Sequence, residues 1–171
     1  LLKLNSEQMR RLRGKEIALV FQDAQTALNP VITIGRQVEE IMLEHTTMSE
    51  RAARREAILL LDQMGIPDPQ RILGEYPFQL SGGMAQRVLL AIAIALSPRV
   101  LIADEPTSNL DVTLQAEILQ RLRRLQEEQR STILLITHDL GITAQMADQV
   151  AVMYAGSIME FTDTRTLFAR P

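Results

Sequence analysis

The alternation of apolar and polar positions divides the chain into elements with readable ends. Asn5 followed by Gln8 has the spacing of a capping box, and Gly14 closes the short helix it predicts. IALVF (17–21) reads as a buried strand ending at Gln22, and DAQTALNP as a loop. Between 34 and 65 the period becomes helical: Ala53, Ala57, Leu61 and Met64 share a face, with Arg51, Arg54, Arg55 and Glu56 spread over the others. Pro67 and Pro69 close this helical insert. A second helix is predicted over 81–96, with Ser81 as N-cap and Pro98 beyond its end, and its VLLAIAIAL content implies burial on most sides. There follow a strand VLIA (100–103), a helix over 111–129 striped by Leu114, Ile118, Leu122 and Leu125, and a strand TILLI (132–136). A short helix and two strands around Ala155-Gly156 complete the pattern. Alternating strands and helices predict an α/β layered fold with a mainly parallel sheet.

Three of these strands end on different polar groups: IALVF on Gln22, VLIA on Asp104 and Glu105, and TILLIT on His138. In open α/β sheets the ligand crevice lies outside the carboxyl ends of the strands, so three such ends together point to one shared site. Successive strand residues face opposite sides, so Asp104 and Glu105 are expected to do different work rather than share a proton. Pro106 ends the ladder because it has no N–H. One carboxylate holding a hard cation and another taking a proton from water suits phosphoryl chemistry. In LSGGMAQR (80–87), Ser81, Gly82 and Gly83 open a helix whose exposed N–H groups and missing Cβ atoms admit an anion, although a plain Ser cap explains the same residues.

Composition narrows the classes. The 171 residues carry 46% hydrophobic and 23% charged positions, which suits one folded domain. A net charge of -3, with Arg clusters interleaved by Glu, predicts no nucleic-acid partner. Without Cys there is no disulfide framework or thiolate metal site, and two His are too few for a His-based one. No apolar run reaches the length of a membrane span. The missing initiator Met and the abrupt end at ARP suggest a piece of a longer polypeptide.

Taken together, these motifs resemble the nucleotide-binding domain of ABC transporter ATPases over essentially the whole chain. LSGGMAQR resembles the signature, VLIADEP the Walker B strand, SNLD the D-loop, LLITHDL the strand leading to the switch histidine, and FQD (21–23) the Q-loop. FQDAQTALNP, LSGGM and DVTLQAEIL further resemble the ATPases of oligopeptide, dipeptide and nickel importers. The resemblance implies a P-loop NTPase-like fold with an inserted α-helical subdomain at about 30–97, and core segments at 15–22 and 98–171. Its implied cofactors are ATP and Mg²⁺, with Asp104 and Gln22 on the metal, Glu105 as general base, and His138 on the γ-phosphate. Ser81, Gly82, Gly83 and Gln86 would close over ATP held by an opposite monomer, and Ser108 and Asp111 would line the dimer contact. Implied partners are a second ATPase subunit in a head-to-tail dimer, transmembrane permease subunits and, indirectly, a solute-binding protein, at the cytoplasmic face of the membrane.

One departure matters most. The family's phosphate cradle, G-x-x-x-x-G-K-[ST], is absent, since the only Gly-Lys pair, Gly14-Lys15, has Met9 for the first Gly and Glu16 for Ser/Thr. The adenine-stacking aromatic upstream of the cradle is missing with it. Smaller departures are Ala24 in place of a frequent Pro, Ala85 in place of Arg, and Asn109 in place of Ala. The expectation is therefore a portion of an importer ATPase that is inactive alone. The alternatives are a truncated, non-catalytic paralogue serving as a regulatory module, and a soluble ABC ATPase of repair or translation.

Overall fold

A computed structural model describes residues 1–108 and 110–169. Asn109, Arg170 and Pro171 lie outside the described residues, so the Asn109 departure has no structural account. The chain divides into two compact units, Leu1–Leu134 and the part from Leu135 onward.

In the first unit the capping box forms as its spacing predicts. Asn5 accepts from the Gln8 N–H at 2.9 Å and Gln8 accepts from the Asn5 N–H at 3.0 Å, opening α1 (Ser6–Leu12). Strand β1 (Ile17–Val20) stops one residue before the predicted end, leaving Phe21 52% exposed. The expected DAQTALNP loop contains a single helical turn, α2 (Ala24–Ala27), because the Asp23 carboxylate accepts from the N–H groups of Gln25 and Thr26. The helical stretch over 34–65 is two helices, α3 (Ile34–His45) and α4 (Glu50–Gln63). Thr46 breaks it by donating its hydroxyl to the Met42 carbonyl at 2.7 Å, and Ser49 caps the restart. Val38, Met42, Ala53, Ala57 and Leu61 are fully buried, so the predicted α4 stripe faces a core shared with α3. Gly35 is needed where α3 meets the following segment, since a Cβ there would come within 2.8 Å of the Leu73 carbonyl oxygen.

A short α5 (Pro69–Ile72) and a 3-10 turn (Pro77–Gln79) lead into α6 (Gly82–Ile94). Its Ala85, Val88, Leu90 and Ala91 are at most 1% exposed, which fits a helix packed against α2, α3, α4 and β1. Strand β2 (Val100–Asp104) pairs in parallel with β1, from Ile17 beside Val100 to Val20 beside Ala103. After α7 (Val112–Gln129), strand β3 (Thr132–Ile136) completes a sheet of order β1-β2-β3. Period 2 sorts the β1–β2 pair into two faces. Ala18, Val20, Leu101 and Ala103 are buried, whereas Leu19 is 42% exposed. Asp104 projects on the same side as Ile102, the partner of Leu19.

The second unit contains α8 (Leu140–Met146), an antiparallel hairpin of β4 (Gln149–Tyr154) and β5 (Ser157–Asp163), and α9 (Thr164–Ala169). The hairpin turns at Ala155 and Gly156, both at positive φ (46° and 80°), as two-residue turns between right-twisted strands require. No helix among the described residues is long and apolar enough to cross a membrane.

Candidate functional site

The ends of β1 and β2 meet. The Gln22 side chain, just past β1, donates from Nε2 to Glu105 Oε2 at 3.0 Å across 83 residues of sequence. Glu105 follows β2 immediately and has φ 43°, a left-handed conformation that costs a non-glycine residue about 1–3 kcal/mol. Its carbonyl is fixed from the other side: the Ser108 hydroxyl donates to it at 3.1 Å and the Ser108 N–H at 3.3 Å. Asp104 is the last residue of the ladder and Glu105 the first outside it.

Around this contact lies a cleft of about 490 Å³ lined by Gln22, Asp23, Gln25, Gly82, Glu105 and Ser108, together with Ala24. Its lining includes two carboxylates and no Lys or Arg. Such a cleft repels a polyphosphate unless positive charge arrives from elsewhere. Among the described residues no three His, Cys, Asp or Glu side chains cluster tightly enough to hold a metal. The donors present nevertheless suit Mg²⁺, which takes one or two carboxylates and completes its shell with phosphate and water oxygens. Asp104 at the end of β2 and Gln22 just past the neighbouring β1 are donors of that kind, although Asp104 is not among the residues lining the cleft.

The helix start has a different construction. Ser81 caps α6 by accepting from the Met84 N–H at 3.3 Å, so the local capping explanation is realised. Gly82 adds a second fact. A Cβ placed there would meet nothing within 4 Å, so the packing of this chain does not require glycine. Glycine is a poorer helix former than alanine by about 1 kcal/mol, and the space it leaves is open to a group from outside the chain.

Behind the glycines, Gln86 is 0% exposed, so it presents no surface to a nucleotide. That departs from its expected place with Ser81, Gly82 and Gly83. This turn of α6 is packed all round, since Ala85, Arg87 and Val88 beside Gln86 are buried as well. Arg87 is 7% exposed, and its guanidinium donates to the carbonyls of Gly83 and, just past α4, Met64 and Gly65. Burial lowers its pKa from the ordinary arginine value, and the charges of Asp111 and Glu117 oppose that shift. Sequence reasoning passed over Arg87, although an arginine entering so apolar a helix was the available signal. Asp111 caps α7 by accepting from the N–H groups of Thr113 and Leu114, both at 3.1 Å, and its charge also acts on Arg87 of the signature helix.

In the second unit His138 is exposed on the turn after β3. Its neighbours hold that turn: Thr137 Oγ1 accepts from the Asp139 N–H at 3.0 Å, and Asp139 caps α8 through the N–H groups of Gly141 and Ile142.

These strand ends, the parallel pair and the glycine-opened helix define an α/β domain with a polar crevice at the carboxyl ends of its strands, and the family comparison agrees. Residues 2–108 match the family described as ABC transporter, and the chain belongs to that family. More particularly, it is 48% identical over its full length to the dipeptide transport ATP-binding protein DppD of Bacillus subtilis (strain 168), covering 51% of that protein. It is 46% identical to the oligopeptide transport ATP-binding protein OppD of the same organism, covering 48%. The chain therefore spans about half the length of these curated relatives. Among solved structures, a dimeric ATP-binding cassette in a post-hydrolysis state, bound to ADP and Pi, matches 95% of this chain and 69% of its own with a TM-score of 0.86 at 29% identity.

Proposed function

We infer that this chain is the signature- and Walker B-bearing portion of an ATPase that drives peptide import through membrane permeases, at the cytoplasmic face of the membrane. The observation that carries this reading is the Gln22–Glu105 contact at the joined strand ends. In this reading about 30–97 is the helical subdomain, and 15–22 with 98–171 belongs to the α/β core. Names of similar proteins supply the peptide class, and the ADP- and Pi-bound dimer of the solved neighbour supplies the nucleotide and the two-subunit arrangement.

Each residue then has one task. Glu105, positioned by strain and by Gln22, accepts a proton from the attacking water. Asp104 and Gln22 would hold Mg²⁺, which would supply neutralisation of phosphate charge. Ser81, Gly82 and Gly83 point N–H groups and the helix dipole at the γ-phosphate of ATP bound by the opposite subunit. His138 keeps its expected role on a γ-phosphate. Ser108 and Asp111 line the subunit contact.

The acidic cleft implies that the phosphate cradle and its Lys come from polypeptide outside these 171 residues. The 171-residue chain is expected to bind Mg-ATP weakly and to hydrolyse none, and hydrolysis is expected to appear when it is joined to its P-loop segment. Calorimetry and phosphate release measure both. Steady hydrolysis by the 171 residues alone contradicts the reading.

A further inference from the structure

One residue of the signature stretch takes no part in the site. Gln86 is 0% exposed, and neither its Nε2 nor its Oε1 has a hydrogen-bond partner among the described residues. Its neighbour Arg87 shows the contrast, being buried with its guanidinium engaged by three carbonyls. An enclosed amide without partners has lost its hydration and replaced it with nothing, so an apolar side chain of the same shape would hold this place more stably. The amide therefore favours any arrangement of the chain that brings it a partner.

The face that Gln86 occupies says which segment can do so. Residues three and four apart share one side of a helix, so Gln86 of α6 lies between Gly82 and Leu89. Gly82 lines the cleft with Gln22, Asp23, Ala24 and Gln25, and Leu89 lines a groove with Ala27 and Leu28. Both face the stretch 22–28, and α6 packs against α2 within it. A long helical side chain leans back toward the helix start, which carries the Gln86 amide to the level of Gly82. Across from it, α2 is a single turn, and so short a helix leaves most of its N–H and C=O groups without partners of its own. The Asp23 carboxylate, on the N–H groups of Gln25 and Thr26, holds α2 in the arrangement of this structure. Gln22 opens the same stretch and donates to Glu105, so whatever draws on Gln22 also shifts the backbone that Gln86 faces.

We propose that Gln86 is a positioning residue whose amide hydrogen-bonds the backbone of residues 22–28 in the nucleotide-loaded arrangement and thereby fixes Gln22 relative to Glu105 for turnover. The proposal rests on the ATPase reading of Gln22 and Glu105, and it adds a buried latch from the signature helix to the proton acceptor.

The test uses the full-length ATPase and Gln86→Met, which keeps length and bulk without donor or acceptor. In the absence of nucleotide, the variant is expected to unfold at a higher urea concentration than wild type. On loading with Mg²⁺ and a non-hydrolysable ATP analogue, the wild-type amides of 22–28 are expected to gain about tenfold protection from hydrogen exchange, the effect of roughly one added hydrogen bond, and those of the variant to gain little. The kcat of Gln86→Met is expected to fall about tenfold with KM for ATP unchanged, because the latch acts after binding. An equal or lower urea midpoint in the variant shows that the amide is already satisfied where it lies, and overturns the proposal. Equal protection on loading overturns it too, as does a wild-type kcat. A wild-type full-length chain that releases no phosphate from ATP overturns the ATPase reading instead, while the urea and exchange results still decide the latch.

Discussion

The end of β2 and the start of α6 supply two halves of one proposed chemistry, yet they are built in opposite ways. Glu105 owes its position to a strained backbone, a hydrogen bond from Gln22 far away in sequence, and Ser108 on its carbonyl. Ser81 sits in an unstrained N-cap satisfied by its own helix, beside a glycine that nothing in the chain crowds. A proton acceptor must be held in place against its surroundings, whereas an anion-binding helix end must be accessible and otherwise idle. The first therefore depends on the whole fold, and the second depends on what comes to it.

Substitutions at the two places should separate accordingly. The largest effect belongs to Glu105. In a full-length ATPase, Glu105→Gln should lower turnover by about 10²- to 10⁴-fold and leave Mg-ATP binding intact, because the amide keeps the shape but accepts no proton. Near-normal turnover removes Glu105 from the base role. Next comes the buried support behind the signature. Arg87→Met should destabilise the chain by about 1–3 kcal/mol, since the carbonyls of Met64 and Gly65 lose their donor. An unchanged urea midpoint would show that the guanidinium does not pin α6 to the end of α4.

The smallest stability effects have opposite signs at adjacent residues. Ser81→Ala should cost about 1 kcal/mol through the lost cap. Gly82→Ala should stabilise by about 0.4–1 kcal/mol, because the added Cβ meets nothing and the unfolded chain loses freedom. Both should nonetheless slow hydrolysis in a full-length dimer. If Gly82→Ala stabilises the protein and leaves turnover unchanged, the open space at Gly82 has no functional occupant.

Legibility in the sequence follows the same division. The Asn5 and Ser81 caps, the strands and the Ala155-Gly156 turn were readable because each is decided within a few residues. Asp104 and Glu105 could be assigned different tasks from strand period alone, but the left-handed Glu105 could not, because a positive φ at a non-glycine residue leaves no mark in that period. The Thr46 break was hidden inside a helical period that resumes in phase. The burial of Gln86 could not be read because motif spacing carries none, and Arg87 was missed because its carbonyl partners lie beyond a different helix.

The central claim is that the strand end of one subunit and the helix start of another complete a single site, and mixing subunits tests it most directly. One full-length subunit carries a disabled phosphate-loop Lys with Ser81 intact, and the other carries Ser81→Arg with an intact phosphate loop. Together they can assemble one site that has both good halves. The account predicts ATP hydrolysis by the mixture and none by either variant alone. A mixture that forms ATP-dependent dimers yet stays as inactive as its parents would contradict it.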